Sequence, residues 1–172
     1  GMPVTLFLIF YQITFGLYLY FWFLGNYRSF TSYKKLKLNP ELLALGLFMF
    51  TVLPYFIYGV LLNLLKVDEV APVVDVSFNL IVAGIESGFL YFQFQMFSGF
   101  LEKKLENPFS VPVVILGCFI LSVLKKVLQP TMPFYLFWEM VLIFLHGGVL
   151  AFVQRDLNLY WKIEGEKSYT CI

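Results

Sequence analysis

Six polar side chains sit within runs of sequence otherwise apolar enough for hydrocarbon: Asp75, Asn79, Glu86 and Gln93 in one run, Glu139 and His146 in another. An acidic group at the centre of a bilayer costs on the order of 2.5–3.5 kcal/mol on insertion scales, so each needs a partner, a proton or water. Helical spacing returns Asn79, Glu86 and Gln93 close to the face that carries Asp75. Glu139 and His146, two turns apart, share a face as well. Carboxylates beside an imidazole that titrates near neutrality could exchange protons or contact a small polar solute inside a membrane. The competing reading is that the same groups hydrogen-bond helices to one another and do no chemistry.

Other chemistries have less behind them. Glu86, Glu139 and His146 are possible metal ligands by type, but no HExxH or cysteine pattern accompanies them, so neither metal nor cofactor is expected. No Ser, Thr or Cys stands at a recognisable spacing from His146, the single histidine, so no catalytic residue is assigned. Cys118 and Cys171 form neither a disulfide framework nor a zinc motif. Glycine-rich phosphate loops and basic-aromatic nucleic-acid patterns are absent too.

The elements that must position these groups are membrane helices. Of 172 residues, 60% are hydrophobic, 20% aromatic and only 13% charged, and the mean hydropathy is +0.80. Soluble domains hold roughly 45–50% apolar and about 25% charged residues. Apolar runs near the length a bilayer requires predict five spans, at residues 3–24, 42–65, 73–100, 109–124 and 134–153. Residues 154–165 then read as an amphipathic interfacial helix, with Gln154, Asn158 and Trp161 at the headgroups or against a partner. The expected fold is an all-α polytopic transmembrane helix bundle in one domain. The fourth run is the shortest, so four spans plus a re-entrant segment is the alternative. Pro54 is expected to kink the second span, and Gly84 with Gly88 to permit a close helix contact.

Basic residues orient the chain. Five crossings put Arg28, Lys34, Lys35, Lys37, Lys103, Lys104, Arg155, Lys162 and Lys167 on one side, and Lys66, Lys125 and Lys126 on the other, with Asp68 and Glu69. This predicts an inner-membrane protein with its N-terminus outside and its C-terminus cytoplasmic. The third and fifth spans then run in the same direction. Their registers predict Glu86 level with His146 near mid-membrane, and Asn79 level with Glu139 nearer the outside, with Asp75 opening the stripe outward.

Two stretches carry a resemblance. QITFGLYLYFWF at Gln12 to Phe23 supplies Thr14, Phe15, Gly16, Tyr18 and Trp22. VQRDLNLYWKIEG at Val153 to Gly165 supplies Gln154, Leu157, Asn158 and Trp161. Together they resemble a family of small prokaryotic multi-pass membrane proteins of unknown function, with a Thr-Phe/Cys-Gly-Ile-Tyr…Tyr-Trp first helix and a Gln-x-x-Leu-Asn-x-x-Trp terminal helix. The resemblance lacks the family's basic N-terminal arm, and residues 75–129 are additional to its three-helix pattern. It implies a fold relationship and brings no activity.

Function is expected to be that of a non-enzymatic accessory or interaction subunit in contact with lipid, as a homo-oligomer or beside another membrane protein. A small proton-coupled carrier using Asp75, Glu86, Glu139 and His146 is the alternative, and an intramembrane lipid-acting enzyme the third. No nucleic-acid partner is implied.

Overall fold

The computed structural model describes residues 2–34, 39–67 and 70–169, and these are all-α. Six helices follow in order: α1 (Val4–Ile13), α2 (Tyr18–Lys34), α3 (Pro40–Leu64), α4 (Pro72–Leu101), α5 (Val111–Val123) and α6 (Tyr135–Tyr169). A π-helical turn at Leu124–Leu128 and a 3-10 turn at Gln129–Thr131 extend α5. Local chemistry sets several starts. The Asn39 side chain accepts from the Leu42 N–H at 3.1 Å, and prolines lie in the first turns of α3, α4 and α5, where a missing N–H costs nothing. Pro54 lies inside α3 without ending it.

Four of these helices are long and apolar enough to cross a membrane: Glu41–Leu64, Pro72–Leu101, Val111–Thr131 and Tyr135–Gly165. The protein is thus a multi-pass membrane helix bundle. The short fourth run gains its length from the turns that follow it, which carry Lys125 and Lys126 within the helical segment instead of in a loop.

The first apolar run departs from expectation. Residues 3–24 are not one helix, because the chain breaks between α1 and α2 and reverses. Met2 lies against Gln154 and Asn158, and Tyr11 against His146, so α1 runs antiparallel to α6. Trp22 then meets Gln154 and Phe30 meets Trp161, so α2 runs back alongside α6. Phe7 closes the pair, its ring 6.0 Å from Tyr18 and 5.4 Å from Trp22. This re-entrant hairpin enters and leaves at one end of the bundle, and its tip reaches the level of His146. The re-entrant segment is therefore the first apolar run, not the fourth.

Helices α3 to α6 alternate in direction. Gly46 and Tyr55 of α3 meet Phe89 and Asn79 of α4; Glu86 and Phe94 of α4 meet Ser122 on α5 and Phe109 just before it; Gly117 of α5 meets Val149 of α6. An aromatic core of Phe7, Trp22, Phe23, Phe30, Phe94 and Phe97 sits between the hairpin and α4. Fully burying rings of this size contributes roughly 1.5–3 kcal/mol each in water, while within a bilayer the gain is tight packing.

The terminal stretch also differs from expectation. Helix α6 continues unbroken, and Gln154, Asp156, Leu157, Tyr160 and Glu164 are buried on it, so residues 154–165 pack within the bundle instead of forming a separate surface helix. Gly84 and Gly88 have open space where a Cβ would stand, so they make no close contact within the chain. Lys35, Lys37, Asp68, Glu69 and Cys171 lie outside the described residues, as do the side chains of Lys34 and Lys167.

Candidate functional site: a polar cavity at the hairpin tip

The tip is built by Thr14, Phe15 and Gly16. The Gly16 N–H bonds to the Tyr11 carbonyl at 2.9 Å and the Phe15 N–H to the Gln12 carbonyl at 3.1 Å, the paired closure of a Schellman-type helix end. That closure needs left-handed backbone, and Phe15 (φ 52°) and Gly16 (φ 85°) provide it. Thr14 joins the two helices: its hydroxyl donates to the Phe10 carbonyl at 2.7 Å and accepts from the Tyr18 N–H at 2.9 Å. One side chain thus closes α1 and caps α2.

Beside this tip lies a cavity of about 180 Å³. Its polar lining comes from all six helices and the π-helical turn: Tyr11, Tyr20, Thr51 with Tyr55, Glu86, Ser122, Lys125 with Lys126, and His146. Leu19, Leu121, Leu142 and Ile143 supply apolar wall. Non-helical backbone at membrane depth is tolerated only where protein buries it or where it lines a wet cavity, and Phe15 to Leu17 line this one.

Two ion pairs brace the site. Lys126 binds the Glu86 carboxylate, to which the Ser122 hydroxyl also donates at 3.3 Å. The Lys126 ammonium additionally stands 5.6 Å from the Tyr55 ring centre, within range of a cation–π contact. Lys125 binds Glu139 at 3.2 Å, and the Gln129 amide donates to the same carboxylate at 2.6 Å. Both carboxylates are 15% exposed, but Lys125 is 36% exposed and Lys126 only 17%, so the Glu86–Lys126 pair is the more enclosed of the two. Adjacent lysines point to different helices, and π-helical turns of this kind occur often at functional sites.

His146 is held through Nδ1, 2.7 Å from the Tyr11 hydroxyl. Its Nε2 is shielded from solvent and has no hydrogen-bond partner among the described residues. Gly147 makes the arrangement possible, because a Cβ there would lie 2.9 Å from the Tyr11 ring. The Tyr20 hydroxyl bonds that of Thr51, which itself donates to the Leu47 carbonyl at 2.8 Å.

Of the residues expected to form a polar core, Glu86 and His146 line one cavity, without a direct bond between them. Asn79 and Glu139 are not partners: the Asn79 amide accepts from Tyr55 at 3.1 Å and donates to the Asp75 carbonyl at 2.9 Å, whereas Glu139 turns to Lys125 and Gln129. The Asp75 side chain is exposed in the first turn of α4, away from the cavity lining. Gln93 is fully buried, and neither end of its amide has a partner among the described residues. Sequence reasoning missed Lys125 and Lys126 by assigning them to an external loop. The signal was an apolar run too short to span unless it absorbed the lysines after it.

Gln154, Asn158 and Trp161 act on the hairpin. Gln154 accepts from the Trp22 indole and donates to the Met2 carbonyl at 3.1 Å, Asn158 donates to that carbonyl at 2.8 Å, and Trp161 packs on Phe30 with ring centres 5.0 Å apart. The two stretches that carry the resemblance therefore touch: one folds the hairpin and the other holds it. Asp156 anchors the opposite neighbour, accepting the Phe109 N–H at 2.6 Å.

No three His, Cys, Asp or Glu among the described residues gather as a metal site. Comparison of the chain with protein-family models, curated proteins and solved structures finds no match.

Proposed function

We propose that this protein is a small membrane carrier that admits a small polar solute to the cavity at the hairpin tip and couples its passage to a proton on Glu86. The observation that carries this reading is the Glu86–Lys126 ion pair on the wall of a cavity lined by the tip of the hairpin. Re-entrant backbone at membrane depth is tolerated where it lines a water-filled cavity, as it does in channels and transporters. Pure helix adhesion is less consistent with the site, since packing would favour a filled interior, and here a cavity of about 180 Å³ is left among polar side chains. This reverses the order expected from sequence, where the accessory subunit came first.

A lipid-acting enzyme fits less well. Pockets for drug-sized ligands occupy roughly 300–1,000 Å³, more than the cavity of about 180 Å³ here. Ser122, the serine present, donates to a carboxylate that Lys126 neutralises, which leaves no base to activate it.

Orientation follows from charge. Both ends of the hairpin lie at the end of the bundle that holds Lys103, Lys104, Arg155 and Lys162, while Lys125 and Lys126 are committed to the cavity. We place that end in the cytoplasm of an inner membrane, with both termini on that side; reporter fusions at the two termini giving opposite sides would overturn this placement.

The coupling is tested in liposomes with an entrapped pH-sensitive dye, challenged with a panel of small anionic, neutral and cationic solutes. At least one solute is expected to produce a pH change with the native protein and none with Glu86→Gln. No protein-dependent pH change with any of them would refute the carrier reading.

A further inference from the structure

We infer that the solute is a short-chain carboxylate anion, which takes the place of the Glu86 carboxylate on Lys126 once Glu86 is protonated. This rests on the carrier reading above. Three observations lead to it.

First, the protein itself shows what these donors accept. Glu86 Oε2 takes both the Lys126 ammonium and the Ser122 hydroxyl, so the pair is arranged around a carboxylate oxygen. Second, the remaining polar groups favour an anion. Lys125 adds a second ammonium to the lining, while its partner Glu139 lies outside that lining. Third, the rest of the wall is Leu19, Leu121, Leu142 and Ile143, suited to a short apolar tail and not to a second charge.

The coupling follows from charge balance. Around Glu86 stand Lys125 and Lys126 from the turn after α5, Cys118 and Ser122 from α5, His146 from α6, Tyr11 and Tyr20 from the hairpin, and Tyr55 from α3. Asp75, on the same helix about three turns away, is exposed. While Glu86 is ionised, Lys126 is neutralised, and a second carboxylate would bring an unbalanced negative charge into the site. When a proton from water converts Glu86 to the carboxylic acid, Lys126 stays charged and loses its counterion. An anion then restores neutrality, so one proton and one carboxylate enter together. The Tyr55 ring keeps the ammonium in place between the two states.

The experiment measures uptake of radiolabelled pyruvate into liposomes holding the full chain, with chloride, choline and glycerol as comparison solutes, at a series of external pH values. Pyruvate uptake is expected to rise by up to about tenfold per unit fall in pH over the coupled range, the slope of one linked proton. Glu86→Gln, scored on protein that remains folded, should lose the pH slope in whatever uptake it retains, whereas Lys126→Gln should lose uptake. Because Lys126→Gln leaves Glu86 unpaired and can fail to fold, the neutral double variant Glu86→Gln/Lys126→Gln is measured too, and it should be stable and inactive. An unchanged pH slope in Glu86→Gln overturns the inference, as does pyruvate uptake by the double variant. Proton-coupled uptake of choline, glycerol or chloride without pyruvate overturns it and leaves the carrier reading standing. No protein-dependent uptake of any solute overturns both.

Discussion

Lys126, in the π-helical turn that extends α5, holds Glu86 at the middle of α4, and the bond closes one wall of a cavity whose opposite wall is the tip of a re-entrant hairpin. Each partner makes the other tolerable at that depth. Removing one from a buried pair typically costs about 3–5 kcal/mol, because the survivor is left uncompensated, whereas removing both costs far less. Lys126→Met and Glu86→Gln should therefore each lower stability in detergent, and the double variant should recover most of the loss. A cycle in which the two losses simply add would show that the groups do not depend on each other.

The hairpin tip depends on backbone that ordinary residues resist. Gly16 has φ 85°, and Gly16→Ala is expected to destabilise by about 1–2 kcal/mol through left-handed strain. Phe15, at φ 52°, already bears such strain, so Phe15→Gly should be neutral or stabilising despite the lost side chain, which is largely exposed. Thermal unfolding of the two variants decides this; equal destabilisation by both would contradict the Schellman-type geometry.

Trp22 and Gln154 tie the hairpin to α6. Gln154→Leu removes the acceptor for the indole and one of the two donors to the Met2 carbonyl. Hydrogen exchange in residues 4–13 should speed up by an order of magnitude or more, on the basis of a loss of about 1–3 kcal/mol per orphaned buried group, while α3 to α5 stay protected. Uniform loosening of the whole chain would assign Gln154 a general packing role instead.

Gln93 points the other way. Its buried amide finds no partner among the described residues, and leaving such a group unsatisfied costs about 1–3 kcal/mol. Gln93→Leu should raise the unfolding temperature. A fall would mean that the amide is bonded in the membrane, by water or by a group it meets there.

Much of this arrangement was legible in the sequence, and its failures have a common cause. The all-α membrane bundle followed from hydropathy, and Glu86 and His146 were expected at one level because helix rise and register are regular; both line the cavity, without a bond between them. Polar stripes report which way a side chain faces and not what it meets, so Asn79 and Glu139 were given to each other when Tyr55 and Lys125 were their partners. Hydropathy also could not distinguish one long helix from two short ones folded back. Residues 3–24 have the length of a span, and the reversal is encoded only in Thr14 and Gly16, where a cap and a positive φ replace helix continuation. Gln154 and Asn158 were read as an amphipathic surface because their acceptor, the Met2 carbonyl, lies 152 and 156 residues away in the chain.

The central claim, that a solute-accessible polar cavity lies at the tip of the hairpin, is tested most directly at Ser122. In a background with Cys118 and Cys171 replaced by alanine, Ser122→Cys on the cavity wall should react in intact membranes with a hydrophilic, membrane-impermeant thiol reagent, since a solute-accessible cavity admits water and the reagent with it. Leu90→Cys, buried in the apolar core on α4, should stay unmodified. Labelling at Ser122→Cys with Leu90→Cys inert is the predicted result; a Ser122→Cys thiol as unreactive as that at position 90 would contradict the account.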